Sequence, residues 1–205
     1  TQRAVRRFTK DPVDDATIER VLAAATRAPS ARNIQPWRFI VIRDASTKGS
    51  LGAIFDELGQ QMYGPNAPDH DPWSEVPVLV AVCAEYVFGR DAGAEAALGA
   101  SVYPAVQNLL LAAHALGLGT VLTTRWKRRE AELRPLLGLP ETMGVQAIVP
   151  MGWPDRKYGR NRRVPVAGLI SSMHTWGLWN GRYGLSDRII INNVPPEVKP
   201  AAMTM

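Results

Sequence analysis

Several features that mark familiar protein classes are scarce or missing in this 205-residue chain. Its only cysteine, Cys83, excludes a disulfide within one chain and suits a reducing compartment. No run of about 18 apolar residues occurs, so a membrane span is not expected. The first residues are polar and basic without an apolar signal core, so we expect a cytoplasmic protein and no export.

The usual signatures of catalytic side chains are also missing. The histidines His70, His114 and His174 are scattered without metal-ligand spacing, so no metal site is expected. Neither a Walker loop, a glycine-rich dinucleotide fingerprint nor a nucleophile elbow occurs. Cys83 lies in an apolar stretch and His114 in an apolar helical pattern, so both are interpreted as buried structural residues. No side chain is therefore assigned as a certain catalyst.

Positive charge exceeds negative charge, with a formal net charge of +5. An excess of this sign is compatible with binding to nucleic acid or to a membrane surface. The cations are spread over three short segments, residues 3–10, 125–134 and 156–163, without a zinc-finger, helix-turn-helix or aromatic RNA-binding signature. We therefore expect local phosphate sites and solvated helix faces, with no nucleic-acid or membrane partner.

Apolar periodicity predicts helices interleaved with strands, which indicates a mixed α/β arrangement. Helices are expected at 14–27, 46–62, 92–116 and 127–137, and strands at 38–43, 76–84, 120–124 and 144–151. The helix at 92–116 is apolar around most of its circumference, which predicts burial, and Pro104 should kink or break it. The turn-rich segment at 63–75 is either a surface connector or a mobile lid.

Two polar segments stand out. Residues 2–8 contain three arginines and end in Phe8, and a guanidinium group suits phosphate because it donates two parallel hydrogen bonds. Residues 28–39, which read Ala-Pro-Ser-Ala-Arg-Asn-Ile-Gln-Pro-Trp-Arg-Phe, place hydroxyl, guanidinium and carboxamide groups between a helix and a strand. Each segment alone could be ordinary, the first a solvated basic terminus and the second a polar turn.

In this order and spacing the two segments resemble the opening of the nitroreductase family of flavin enzymes. The likeness continues through 112–120 and 136–154. It implies an α+β fold, a three-layer α-β-α sandwich with a central mixed sheet, in a homodimer that binds flavin mononucleotide (FMN) at the subunit interface. Residues 1–170 would form the FMN-binding domain, and 171–205 a C-terminal arm that packs on the partner subunit.

The resemblance also assigns residues to the cofactor. Arg3 would bind the phosphate, and Arg6 would reach the N1–O2 edge of the ring, where positive charge stabilises the reduced flavin. Ala4 would bring its backbone close to the flavin. The other implied contacts are Pro29, Ser30, Ala31 and Asn33, mainly to the partner's flavin, Leu122, Thr123 and Thr124 at a strand end, and Arg162 and Arg163 at the phosphate.

Some positions depart from the family pattern or admit a plainer interpretation. Gln2 stands where many members have arginine, so phosphate binding would depend more on Arg3 and the late basic group. Arg7 is interpreted as a solvated charge, and Gln35 and Trp37 as structural. A backbone N–H in residues 122–124 would hydrogen-bond flavin N5, the atom that accepts hydride.

The implied function is hydride transfer from NAD(P)H to the flavin and then, in a second step, to a nitroaromatic, quinone or similar acceptor. Positioning of donor and acceptor against the ring supplies most of the effect. Alternatives are a dimethylbenzimidazole synthase that fragments flavin, a reductive dehalogenase, and a flavin-binding protein without turnover. The Ser-Ala-Arg-Asn form of the early turn favours an ordinary reductase over the flavin-fragmenting branch.

Overall fold

The computed structural model describes residues 2–166 of the chain. Thr1–Gly159 form one compact unit, and residues 160–166 belong to a second unit that is described by itself. The C-terminal arm expected at 171–205 lies outside the described residues, as does His174. The account of the fold below concerns the first unit.

Four helices and four strands make up this unit in the described part of the chain. They are α1 Asp15–Ala25, β1 Trp37–Ile42, α2 Ala45–Tyr63, β2 Val78–Glu85, α3 Ala92–Ala115, β3 Gly119–Thr120, α4 Glu130–Leu136 and β4 Met143–Gly152. The first three helices each begin after an aspartate whose carboxylate accepts backbone N–H groups of the first turn, with Asp14, Asp44 and Asp91 as the capping residues. These caps explain why the helices start close to the predicted positions.

The strands form one sheet in the order β1-β2-β4-β3, and every neighbouring pair is antiparallel. The sheet differs in one respect from the mixed sheet expected from the resemblance. Parallel pairing occurs only at an isolated bridge between Ala4 and Thr120, beside β3. The antiparallel sheet is therefore extended at its β3 edge by the N-terminal segment.

Helices cover both faces of the sheet, which confirms the three-layer sandwich. Strand β2 is buried on both sides, so its alternate side chains enter two different cores. One core, formed with α1 and α3, contains Val78, Val80, Val82 and Ala84, and the other, formed with α2 and α4, contains Leu79, Ala81 and Cys83. Cys83 is fully buried, as its apolar surroundings predict.

The structure differs from the predicted elements at three points. Strand β3 is short, because beyond Thr120 the chain pairs with β4 only through a bridge between Thr123 and Ile148. The charged helix begins as a 3-10 turn, Arg125–Arg129, before α4. Helix α3 continues through Pro104 as one element, so the break that was considered there does not occur.

Helix α3 packs on α1 and the sheet through one side only. By length and composition α3 is apolar enough to cross a membrane, but 50% of its most apolar window is buried inside the fold. The rest of its surface bears small and apolar groups that face outward, including Ala96, Ala100 and Leu111. Burial was predicted for the whole helix, but within one chain only half of this window is buried.

Candidate functional site

The N-terminal arginine segment is held along the β3 edge of the sheet. Val5 N donates to Thr120 O at 2.9 Å, and Ala4 is exposed beside it. Gly119 makes this approach possible, since a Cβ there would lie 2.6 Å from Val5 Cγ1. The buried side chains of Val5 and Phe8 anchor the segment, so its arginines project from a fixed backbone.

Arg3 lines an open cleft of about 560 Å³ between the N-terminal segment and the loop after β4. Its Nη1 donates to Gly159 O at 3.3 Å, and its guanidinium carbon lies 5.3 Å from the centre of the Tyr158 ring. Its Nε is buried without a hydrogen-bond partner among the described residues. A buried donor of this kind costs free energy until an acceptor reaches it. Arg3 is therefore poised to donate to an anionic ligand.

Arg6 lies in a different place. It lines a cavity of about 10 Å³ together with Phe8, Phe55 and Thr123. This cavity shares none of its described lining residues with the cleft of Arg3. The two arginines are three positions apart, or about 10 Å along extended backbone. A single ligand that contacts both must be long enough to span that distance.

Arg125 was not assigned from the sequence, and the structure docks it beside Arg6. Its guanidinium carbon is 4.0 Å from the centre of the Phe55 ring, and Nη1 donates to Phe55 O at 3.2 Å. Gly59 provides the space, because a Cβ there would overlap Arg125 Nη1. Burial is the main cause that lowers the pKa of Arg125, and the charge of Arg6 adds to it. An anion near this pair would be favoured.

Arg7 is exposed, as expected for a solvated charge, and it also takes part in surface ion pairs. Its guanidinium forms ion pairs with Asp69 and Asp71, and Phe8 N donates to Asp71 Oδ2 at 2.7 Å. The ion pair with Asp69 raises the pKa of Arg7. His70 Nε2 lies 3.0 Å from Asp56 Oδ1 on α2. One end of the segment at 63–75 is thus tied to the N-terminal segment and to α2.

The turn between α1 and β1 has an unusual backbone. Arg32, Asn33 and Gln35 have φ angles of 50°, 56° and 53°, and no other described non-glycine residue has a positive φ. Ala31 N donates to the hydroxyl of Ser101 on α3 at 3.1 Å, and Gln35 N donates to Ser30 Oγ at 3.0 Å. Such strain persists where surrounding bonds over-determine it, and it is common at ligand sites.

The predicted contacts in this turn are partly accessible. Pro29, Ala31 and Asn33 are exposed, whereas Ser30 is half-buried. No hydrogen bond or ion pair of the described residues joins them to Arg3 or to the strand end at 122–124. Within one chain the turn therefore stands apart from the other predicted cofactor residues. Trp37 is buried, in agreement with the structural role expected for it.

The strand end at 122–124 presents two of its three residues outward. Leu122 and Thr124 are exposed, whereas Thr123 is buried. Thr123 N donates to Ile148 O at 3.1 Å and its hydroxyl donates to the same oxygen at 2.7 Å. The Thr123 N–H is therefore engaged in the sheet. The donor expected for flavin N5 must come from Leu122 or Thr124.

Three further predictions can be placed. Arg162 and Arg163 lie in the second unit, where both are exposed and Arg163 Nη1 donates to Arg162 O at 3.0 Å.

The expected burial of His114 is wrong, since this side chain is exposed and lines the cleft of Arg3. Cys83 is inert, because burial raises the pKa of its thiol to about 12. Within residues 2–166 no group of three or more His, Cys, Asp or Glu side chains could hold a metal ion.

Known proteins resemble this chain in sequence and fold. The profile described as the Nitroreductase family matches residues 1–153. An NADH dehydrogenase of Thermus thermophilus is 30% identical over an alignment that covers 82% of this chain and 91% of that protein. An iodotyrosine deiodinase of Thermotoga neapolitana is 31% identical, with coverages of 80% and 91%. A Desulfovibrio desulfuricans protein crystallised in complex with FMN is 31% identical, with a TM-score of 0.64 and coverages of 82% and 90%.

Proposed function

Because this chain belongs to the nitroreductase family of oxidoreductases, we propose that it is an FMN-dependent NAD(P)H oxidoreductase. Its acceptors are nitroaromatics, quinones or similar electron-poor molecules. The observation that carries the proposal is the N-terminal segment, whose fixed backbone presents Arg3 and Arg6 about 10 Å apart along one edge of the sheet. FMN is also elongated, because a ribityl chain separates its phosphate from its ring.

The residues present fit this cofactor. Arg3 offers a buried, unpartnered Nε for the phosphate. Arg6 lies at the other end of the segment, where its charge meets the ring. When bound, FMN would supply the hydride chemistry between NAD(P)H and the acceptor, with protons taken from water, so the protein need not supply a nucleophile and its residues hold and orient the cofactor.

The chain's own groups bind the flavin, orient it and adjust its reduction potential. A guanidinium at the N1–O2 edge favours negative charge on the ring, and in a partly dry site this electrostatic effect is strong. The exposed backbone at Leu122 or Thr124 supplies the hydrogen bond to N5. Pro29, Ser30, Ala31 and Asn33 contact the flavin from the partner subunit. The site is therefore complete only in a homodimer.

The exposed side of α3 supports that homodimer. Ala96, Ala100, Gln107 and Leu111 follow one another at helical spacing on its outer surface, and Leu111 is 48% exposed. An apolar surface of this kind is typical of an interface. Leu111→Asp should yield monomers by light scattering after size exclusion and should lose bound flavin. A variant that remains dimeric would place the interface elsewhere.

The proposal is tested on the purified protein by absorbance spectroscopy and stopped-flow mixing with NADH or NADPH, followed by a nitroaromatic. The yellow protein should bleach with the donor and recover its colour with the acceptor. Arg6→Ala should slow reduction by about 10- to 100-fold, whereas the exposed Arg128→Ala should not. A protein that stays colourless when saturated with FMN would refute the proposal.

Reductive dehalogenation is the second candidate, favoured by the 31% identity to an iodotyrosine deiodinase. Release of iodide from 3-iodotyrosine, measured on the reduced protein, separates it from nitroreduction. A flavin-binding protein without turnover would show the spectrum but no sustained consumption of NAD(P)H. A flavin-fragmenting enzyme would lose its FMN as it reacts with oxygen.

A further inference from the structure

The backbone groups of the N-terminal segment are bonded in alternation, as in a β-strand. Val5 N donates to Thr120 O at 2.9 Å. Further along the segment, Thr9 N donates to Trp153 O at 2.8 Å. These bonds hold odd-numbered residues of the segment against β3 and the end of β4. The even-numbered residues between them direct their backbone groups to the other side, where they need a different partner.

Asp71 is the partner on that other side. Its N–H donates to Arg6 O at 3.0 Å, and its carboxylate oxygen Oδ2 accepts from Phe8 N at 2.7 Å. Its second oxygen, Oδ1, lies 3.2 Å from Nη1 of Arg7. Among residues 2–166 no other hydrogen bond engages Arg6 O or Phe8 N. One residue therefore contacts three consecutive residues of the segment and fixes the backbone of two of them.

The rest of the fold holds Asp71 in turn. The neighbouring His70 has Nδ1 at 2.8 Å from Asp71 O and Nε2 at 3.0 Å from Asp56 Oδ1 on α2. The ring of His70 also contacts the ring of Phe55 edge-on, with 5.3 Å between their centres. The connection is thus continuous from α2 through the loop to the N-terminal segment, and the position of Asp71 is defined before any ligand binds.

Asp69 offers a comparison within the same loop. It forms an ion pair with Arg7 as Asp71 does, but its side chain is 76% exposed, against 21% for Asp71. No hydrogen bond of the described residues joins Asp69 to the backbone of the segment. Exposed ion pairs contribute little to stability, whereas a backbone N–H that donates to a carboxylate makes a charge-assisted, directional bond. Of these two aspartates, only Asp71 is placed to determine where the backbone of Arg6 lies.

We propose that Asp71 is a positioning residue for the flavin reaction, which acts through Arg6. The inference rests on the proposed function, because that function assigns Arg6 to the N1–O2 edge of the ring. By fixing Arg6 O, Asp71 limits the places that the Arg6 guanidinium can reach, and a cation held in place stabilises negative charge without reorganisation. The carboxylate of Asp71 has a direct effect of opposite sign, because negative charge near the ring disfavours reduced flavin.

The variants Asp71→Ala and Asp71→Asn separate the two effects. Both remove the negative charge, but asparagine keeps an oxygen that can accept from Phe8 N. The midpoint potential of bound FMN is measured against a reference dye, and its reduction by NADH or NADPH is followed by stopped flow. Asp71→Ala should lower the potential and slow reduction by about 3- to 10-fold, because a misplaced cation loses part of its effect. Asp71→Asn should restore the rate and should not lower the potential. An equal rise of the potential in both variants would mean that Asp71 acts only as a charge, and the inference would be overturned.

Asp69→Ala is the matched control, since it removes the other aspartate that pairs with Arg7, and it should change neither potential nor rate. Asp71→Glu keeps the charge but moves the oxygen, so it should lower the potential even where Asp71→Ala proves unstable. Beside Arg6→Ala, the substitution Asp71→Ala should lower the potential no further. An undiminished effect there would overturn the inference.

Hydrogen exchange of the Phe8 amide, measured without flavin, examines the connection itself. Exchange should quicken in Asp71→Ala but not in Asp71→Asn or Asp69→Ala. A wild-type protein that binds no FMN overturns the proposed function and this inference with it. A yellow wild-type protein whose potential is unmoved by both Asp71→Ala and Asp71→Glu overturns this inference alone.

Discussion

Two turns in this fold make the same kind of connection but place the left-handed backbone on different residues. Each leads from a long helix into the sheet, one from α1 to β1 and the other from α3 to β3. The α3–β3 turn places its positive φ of 88° on Gly117 and is followed by the buried Leu118 and Gly119. The α1–β1 turn places three positive φ angles on Arg32, Asn33 and Gln35, and all three residues are exposed.

The α3–β3 turn is relaxed, whereas the backbone of the α1–β1 turn is strained at residues that we propose contact a ligand. Glycine adopts the left-handed region freely, so the α3–β3 turn is relaxed. A residue with a Cβ loses about 1–2 kcal/mol there. In the α1–β1 turn this loss is opposed by hydrogen bonds that the backbone donates to the hydroxyls of Ser30 and of Ser101 on α3. Strain kept in an exposed polar turn is consistent with the ligand contacts proposed for it.

Gly119→Ala should have the largest effect on the relaxed turn. The new Cβ would lie 2.6 Å from Val5 Cγ1, so the N-terminal segment must move away from β3. We expect a loss of about 2–3 kcal/mol in the free energy of unfolding and weaker FMN binding, measured by urea denaturation and fluorescence titration. The double variant G119A/V5A should recover part of the stability, and no recovery would mean that the contact is not responsible.

Ser101→Ala should have the next largest effect and acts on the strained turn. It leaves the Ala31 N–H without its hydroxyl acceptor, which should cost about 1–2 kcal/mol. Flavin affinity should fall with it, because the backbone of the turn relaxes. Ser101→Thr keeps the hydroxyl and serves as the matched variant. Equal affinities for both substitutions would contradict a bracing role.

Gly117→Ala should destabilise the protein by about 1 kcal/mol, since φ is 88° and the added Cβ would lie 3.4 Å from Trp153 Cζ3. Flavin binding should fall less than in Gly119→Ala, because the added Cβ meets Trp153 and leaves the N-terminal segment in place. Thermal unfolding with and without FMN gives both quantities. A large loss of FMN affinity would remove the distinction between the two turns.

Gln35→Gly should have the smallest effect and the opposite sign. Relief of the strain at φ 53° should outweigh the entropy of the added glycine, with a gain of about 0.5 kcal/mol. The same change should weaken FMN binding, because a looser turn is less well oriented. Greater stability together with undiminished affinity would show that the strain has no part in binding.

Sequence patterns predicted most of the fold because its signals are local. The continuous apolar run of β2 and the aspartate before each long helix can be recognised without knowledge of the partners. The length of β3 could not be predicted, because the bridge from Thr123 to Ile148 depends on how β4 is placed. The 3-10 turn at Arg125–Arg129 could not be predicted either, because its charged residues also fit a regular α-helical pattern.

The candidate site was predicted where a motif specifies it and missed where only tertiary contacts do. Arg3 and Arg6 were assigned through the motif of their segment, and these assignments stay predictions. The ion pairs of Arg7 depend on Asp69 and Asp71, which approach it only after folding. Two aspartates in one turn-rich loop nevertheless indicated a basic partner. Arg156 and Lys157 meet Arg3 across more than 150 positions of sequence, and no local pattern reveals that cleft.

The space that Gly59 leaves for the guanidinium of Arg125 makes the effect of a substitution at Gly59 depend on whether Arg125 is present. Alanine in place of a helical glycine ordinarily gains about 1 kcal/mol, yet here it would expel the guanidinium of Arg125. If Arg125 is shortened first, the same alanine becomes harmless and even beneficial. The effect of Gly59→Ala on stability therefore depends on whether Arg125 is present, so substitutions at the two positions should not be additive.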